Sequence, residues 1–262
     1  MRKVESVVLF LVDGMRPDGL QQAETPVIDG LRRAGASKMS AKTVMPTTTL
    51  PCHTSLFFSL LPQDHGILDN VWKPLKTPSK SLFGLLNENG MSSGCFFNWE
   101  PLRNMSPDGA LAASFFIRDR KEFDGSVDRE LASLAVRWLK NNPWQFAFVY
   151  LHNTDRTGHN EGWMSDKYLR AIANADGCIG EVMSVLDGNA AVIVTSDHGG
   201  HDKTHKTDCY EDMTVPFVIR APGIPAGVGI EKELNITDIA PTIAGLLGLE
   251  SPEPWIGRKI VL

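Results

Sequence analysis

The chain has 262 residues, 42% of them apolar and 22% charged, with a net charge of −5, values of a globular protein that exclude a disordered or fibrous chain. It has no basic block, so a nucleic-acid polymer is not the expected partner, and no run near the ~20 apolar residues that span a bilayer, so no membrane is expected either. Cys52, Cys95, Cys178 and Cys209 form no Cys-x-x-Cys pair, which reads as reduced thiols and not a disulfide framework.

Val7 to Val12 is a continuous apolar run, the pattern of a strand buried on both faces of a parallel sheet. Only six residues, Met1 to Ser6 with Arg2 and Lys3 as their cations, precede it and Asp13-Gly14 follows, which does not suit a secretory leader, so a cytoplasmic protein with one domain over residues 1–262 is expected. Thr25 caps and Pro26 starts a helix that Gly35 closes. A second, largely apolar helix is expected over 51–61, just after Pro46-Thr47-Thr48-Thr49-Leu50. A hydroxyl there lies at the positive end of the helix dipole, where an anion is favoured. Thr49 can equally be a plain cap, and Thr47 and Thr48 compete with it.

Residues 70–127 are the least patterned and read as substrate-facing loops around a short strand at Cys95–Phe97. A helix is expected over 128–141, a buried strand over 146–151, a helix over 168–186, and strands over 191–195 and 215–219. A last helix runs from Thr237 to Leu247, stopped by Gly248. The alternation predicts an α/β fold, a mostly parallel central sheet with helices on both faces.

In open α/β sheets, ligands gather beyond the carboxyl ends of the strands. Asp13 follows the first strand there, Asp155 the 146–151 strand, and Asp197 the 191–195 strand. Each alone is an ordinary turn residue or cap. Together, with His159 and His198 beside two of them, they form the carboxylate–imidazole set of a metal site. A free threonine hydroxyl is a poor nucleophile and needs a neighbouring base or metal.

The motifs resemble the alkaline phosphatase superfamily, and most of all its type I phosphodiesterase/nucleotide pyrophosphatase family. The resemblance is carried by Asp13-Gly14-Met15-Arg16-Pro17-Asp18, by residues 46–53, and by Leu60-Leu61-Pro62-Gln63-Asp64-His65-Gly66 through Asn70. It continues through Asp155-Arg156-Thr157-Gly158-His159 and Ser196-Asp197-His198-Gly199, and Thr237 to Thr242 is typical of the wider superfamily.

The resemblance implies an alkaline phosphatase-like domain and two Zn²⁺ ions, with Mn²⁺ compatible with the same ligands. Asp13, Thr49, Asp197 and His198 would bind one ion; Asp155, His159 and His205 the other. Thr49 would attack phosphorus to give a phosphothreonine, and Asn70, with the Thr49 backbone N–H, would hold a non-bridging oxygen. The implied activity is cleavage of a phosphodiester or pyrophosphate bond in a small, nucleotide-like phosphate. A phosphonoacetate-type hydrolase, a phosphomonoesterase, or a degenerate binding protein are the alternatives.

The chain departs from the family in two ways. His201 and His205 follow the Asp-His-Gly motif almost at once, where relatives carry a long insertion, so little or no cap and an open site are expected. His205 is preferred as the last ligand, with His201 as the fallback. Lys206 stands where a glycine is frequent. His53, His65 and His152 are read as structural, Cys52 as a small buried helix residue, and Arg16 and Arg156 as surface cations within possible reach of a phosphate.

Overall fold

The computed structural model describes residues 3–118 and 124–260. Its strands are β1 (Val7–Val12), β2 (Ala36–Lys42), β3 (Ser93–Phe97), β4 (Ala113–Phe116), β5 (Phe146–Leu151), β6 (Ala191–Thr195), β7 (Thr214–Arg220) and β8 (Val228–Gly229). Its helices are α1 (Pro17–Gln22), α2 (Pro26–Ala34), α3 (Thr49–Phe58), α4 (Pro62–His65), α5 (Leu82–Glu88), α6 (Ser126–Asn141), α7 (Asn153–Glu161), α8 (Asp166–Met183), α9 (Tyr210–Met213) and α10 (Ile239–Leu246).

Among the described residues one sheet of eight strands runs in the order β4-β3-β5-β1-β6-β7-β2-β8. From β4 to β6 every neighbouring pair is parallel, while β7 is antiparallel to both β6 and β2. Successive side chains of a strand face opposite sides, and the central strands are buried on both. Leu9, Leu11, Phe148 and Ile193 join a core with α3, α5 and α10. Val8, Phe10, Val149 and Val194 join a second core with α2, α6 and α8. Each such side chain contributes about 1.5–3 kcal/mol by leaving water. Among the described residues no helix is long and apolar enough to cross a membrane.

The structure moves several expected boundaries. The helix expected from residue 51 starts at Thr49, with Thr48 in the extended cap position. The expected loops of 70–127 contain the seven-residue helix α5 and the edge strand β4, whose exposure alternates along its length; residues 119–123 of that stretch lie outside the described residues. Between β6 and β7 the chain takes only residues 196–213, with no further layer inserted.

Candidate metal centre

β1, β5 and β6 are adjacent and parallel, so their carboxyl ends open on one edge. Asp13 follows β1 by one residue, while α7 begins two residues after β5 and carries Asp155 and His159 one turn apart on one face. Asp197 and His198 follow β6. Gly14 makes the convergence possible: its φ is +66°, and a Cβ there would stand 3.2 Å from Asp155 Cα. Its N–H donates to Asp197 Oδ1 at 3.3 Å.

Two clusters result. In one, His198 Nε2 lies 3.4 Å from Asp13 Oδ1, from Asp197 Oδ2 and from Thr49 Oγ1. In the other, His159 Nε2 is 3.1 Å from His205 Nε2, and Asp155 Oδ1 is 3.5 Å from the first and 3.7 Å from the second. His198 links them, since Asp155, His198 and His205 also fall within ligand distance of one another. Donors about 2.0–2.1 Å from a tetrahedral ion sit about 3.3 Å apart, so both clusters have the spacing of a divalent-ion site.

The unmet polar atoms point the same way. Asp13 Oδ1, Asp155 Oδ1 and Asp197 Oδ2 are buried with no hydrogen-bond partner among the described residues, a costly state unless a cation meets them. The other oxygen of Asp13 accepts from the Tyr150 hydroxyl, and the other oxygen of Asp197 accepts from Gly14. Each histidine is likewise anchored through Nδ1: His198 on Gly199 O, His159 on Lys203 O, His205 on Thr47 O. That fixes the tautomer that turns Nε2 inward as an acceptor.

The electrostatics follow from burial. It pushes the Asp13 carboxyl well above the usual range, and the charges of Asp197 and Asp155 push it further. Burial also raises Asp197, against the pull of His53. Burial acts upward on Asp155 too, but His198, His152, His159 and His205 together hold it below its ordinary value. Burial lowers His198, and burial with the His198 charge pushes His205 down to about 4. Crowded carboxylates beside neutral imidazoles suit a divalent cation.

Thr49 is the first residue of α3, and its hydroxyl caps nothing; Thr48 is the cap residue and makes no side-chain cap bond. The Thr47 hydroxyl is committed to Thr207 O. Asn70 Oδ1 accepts from Leu50 N–H at 3.0 Å, which brings Asn70 to the first turn of α3 and leaves its amide N–H₂ as the donor end. His201 goes elsewhere: its Nδ1 donates to Asp212 Oδ1 at 2.8 Å. His53 supports the site by donating to Thr49 O, and His65 pairs with Ser55 inside α3, away from the helix start. Arg16 is held by Asp18 and Gly200 O.

Sequence reasoning missed Tyr150 and Asp128. Tyr150 read only as a strand residue, with its partner Asp13 137 positions away. Buried Asp128 accepts from the backbone N–H of His152 and Asn153 and from Asn98, pinning the turn from β5 into α7.

The family model for type I phosphodiesterase / nucleotide pyrophosphatase matches residues 7–215. Ectonucleotide pyrophosphatase/phosphodiesterase family member 1 of Homo sapiens is 31% identical over 220 residues, covering 73% of this chain and 23% of the relative. The chain thus spans about a quarter of the length of the curated relatives it matches. Murine ectonucleotide pyrophosphatase/phosphodiesterase 5, solved in complex with AMP, superposes with a TM-score of 0.80 at 16% identity, covering 97% of both chains. The phosphonate monoester hydrolase of Agrobacterium radiobacter gives 0.72 at 19% identity, over 96% of this chain and 78% of that one. These two likenesses establish the fold, alkaline phosphatase-like as expected. With the family model spanning well over half its length, the chain belongs to the type I phosphodiesterase/nucleotide pyrophosphatase family.

Proposed function

We propose that this protein is a metal-dependent hydrolase that cleaves a phosphodiester or pyrophosphate bond of a small, nucleotide-like organic phosphate, with Thr49 as nucleophile. The observation that carries this reading is the convergence of Asp13, Asp155, Asp197, His159, His198 and His205 around one uncommitted threonine hydroxyl. Asp13, Thr49, Asp197 and His198 would hold one ion; Asp155, His159 and His205 the other. Zinc suits this mixed carboxylate–imidazole set, and manganese is compatible with it. When bound, two such ions supply Lewis-acid charge that favours ionised threonine oxygen and offsets charge on the transferred group.

The chain's own residues do the rest. Thr49 Oγ1 forms the bond to phosphorus as the bond to the leaving oxygen breaks, and water later cleaves the phosphothreonine. The N-terminus of α3 and Asn70 Nδ2 present fixed donors to the equatorial oxygens. Tyr150, through Asp13, and the carbonyls behind the three histidines hold the ligands in place.

The test is a parallel assay of bis-p-nitrophenyl phosphate, p-nitrophenyl phosphate and phosphonoacetate with added Zn²⁺. Preference for the diester supports the reading; preference for either of the others assigns the same site to monoester or phosphonate hydrolysis. Inactivity on all three with metal bound makes the protein a binding member of the family.

A further inference from the structure

β4 and β3 extend the parallel part of the sheet beyond β5, so their carboxyl ends open on the same edge as Asp155. A cavity of about 520 Å³ lies there, lined by Trp99, Arg103, Phe116, Arg118, His152 and Arg156. It adjoins the metal centre through His152, whose Nε2 stands 3.8 Å from Asp155 Oδ2. Among the described residues its lining includes three arginines and one carboxylate, Glu100, which pairs with Arg103 at 3.0 Å where both side chains are exposed. Such a pair contributes little and yields readily to a stronger acceptor. Asn98 adds a built element: it is 4% exposed, its Nδ2 is held by Asp128, and its Oδ1 has no partner among the described residues.

We infer that this cavity is an anion subsite for the substrate: the arm beside the scissile phosphorus carries its own carboxylate or phosphate on a flat body. The inference rests on the phosphodiesterase reading of the metal centre. Guanidinium groups match carboxylate and phosphate oxygens in bidentate geometry, and a neutral or cationic arm gains nothing from them. Trp99 and Phe116, the latter 39% exposed, offer faces to a planar body. Asn98 Oδ1 suits a hydroxyl or N–H on the same arm.

The experiment uses the zinc-loaded protein and three diesters sharing a p-nitrophenyl leaving group, the other arm being phenyl, para-carboxyphenyl or para-phosphonophenyl. The expected result is a kcat/KM about tenfold or more higher for an anionic arm than for phenyl, with the better of the two naming the anion. The double variant Arg103→Ala/Arg118→Ala should bring that ratio close to one. An absent preference, a preference that survives the double variant, or a loss shared equally by all three substrates overturns the subsite. If none of the three is turned over, the hydrolase reading has failed separately. The subsite is then read by calorimetry, comparing para-carboxyphenyl phosphate with phenyl phosphate on wild type and variant, with the same ratio deciding.

Discussion

The Nε2 atoms of His159 and His205 face each other at 3.1 Å while both rings have given Nδ1 to backbone carbonyls. Each facing nitrogen is therefore a lone pair, and two lone pairs at that distance repel unless a cation lies against both. His205→Ala should weaken one metal site by about 100-fold or more and leave the other filled. His201→Ala should change neither, because that ring is spent on Asp212. Metal stoichiometry after dialysis at limiting zinc reads both; if His201→Ala empties a site and His205→Ala does not, the ligand assignment is wrong.

Thr49→Ala should keep the fold and most of the zinc while turnover falls about 10³-fold or more, the scale of losing a nucleophile. The structural loss is small because the hydroxyl caps nothing in α3 and meets His198 Nε2 only at 3.4 Å. Wild-type rates in a folded, metal-loaded variant would pass the attack to Thr48 or water, since the Thr47 hydroxyl already serves the loop that carries His205.

How far this site could be read from the chain depended on what each element buries. β1, β5 and β6 have the bounds expected from sequence because both faces are buried and the apolar run is unbroken. Asp13, Asp155 and Asp197 were legible for the same reason, each being the first carboxylate past such a run. β2 was not, since its middle residues are half-exposed and carry lysine and serine. α7 was hidden because its inner face carries Asp155 and His159 where an ordinary helix shows leucine. Asp128 gave no local sign, because its partners His152 and Asn153 come from a strand end 24 and 25 residues later.

Asp128 gives the pH test. Burial pushes its carboxyl from an ordinary 3.8 up to about 6, despite the bonds from Asn98, Asn153 and His152. The folded state therefore holds this proton more tightly than the unfolded chain. Its contribution is complete below about 3.8 and lost as pH rises through about 6. Relative to Asp128→Asn, wild type should lose up to about 3 kcal/mol of stability between those limits. Denaturant melts of both proteins at several pH values, with chelator present to silence the metal ligands, measure the difference. A gap that is flat with pH would show that Asp128 stays ionised in the fold. At neutral pH the Asn variant should also bind zinc less well at the Asp155 site, since its side-chain N–H₂ meets the Asn153 N–H where the carboxylate accepted it.

Lys206 occupies a backbone conformation with φ +106°, one of four non-glycine residues at positive φ among those described. It follows His205, and its N–H donates to Thr47 Oγ1 at 3.0 Å, so the conformation aims the preceding imidazole at Asp155. A side chain there costs about 1–3 kcal/mol, against about 0.5–1 kcal/mol for the extra freedom of glycine in the unfolded chain. Lys206→Gly should therefore stabilise the protein by about 1 kcal/mol, a rise of about 2–4 °C in Tm for a chain of this size. Lys206→Ala keeps the Cβ and should not. The lysine side chain is exposed and has little to lose, which leaves the backbone as the cause of any difference between the two variants. A Tm for the glycine variant at or below that of the alanine variant would show that residues 205–206 lie in this turn without strain, and that His205 is aimed by its bond to Thr47 alone.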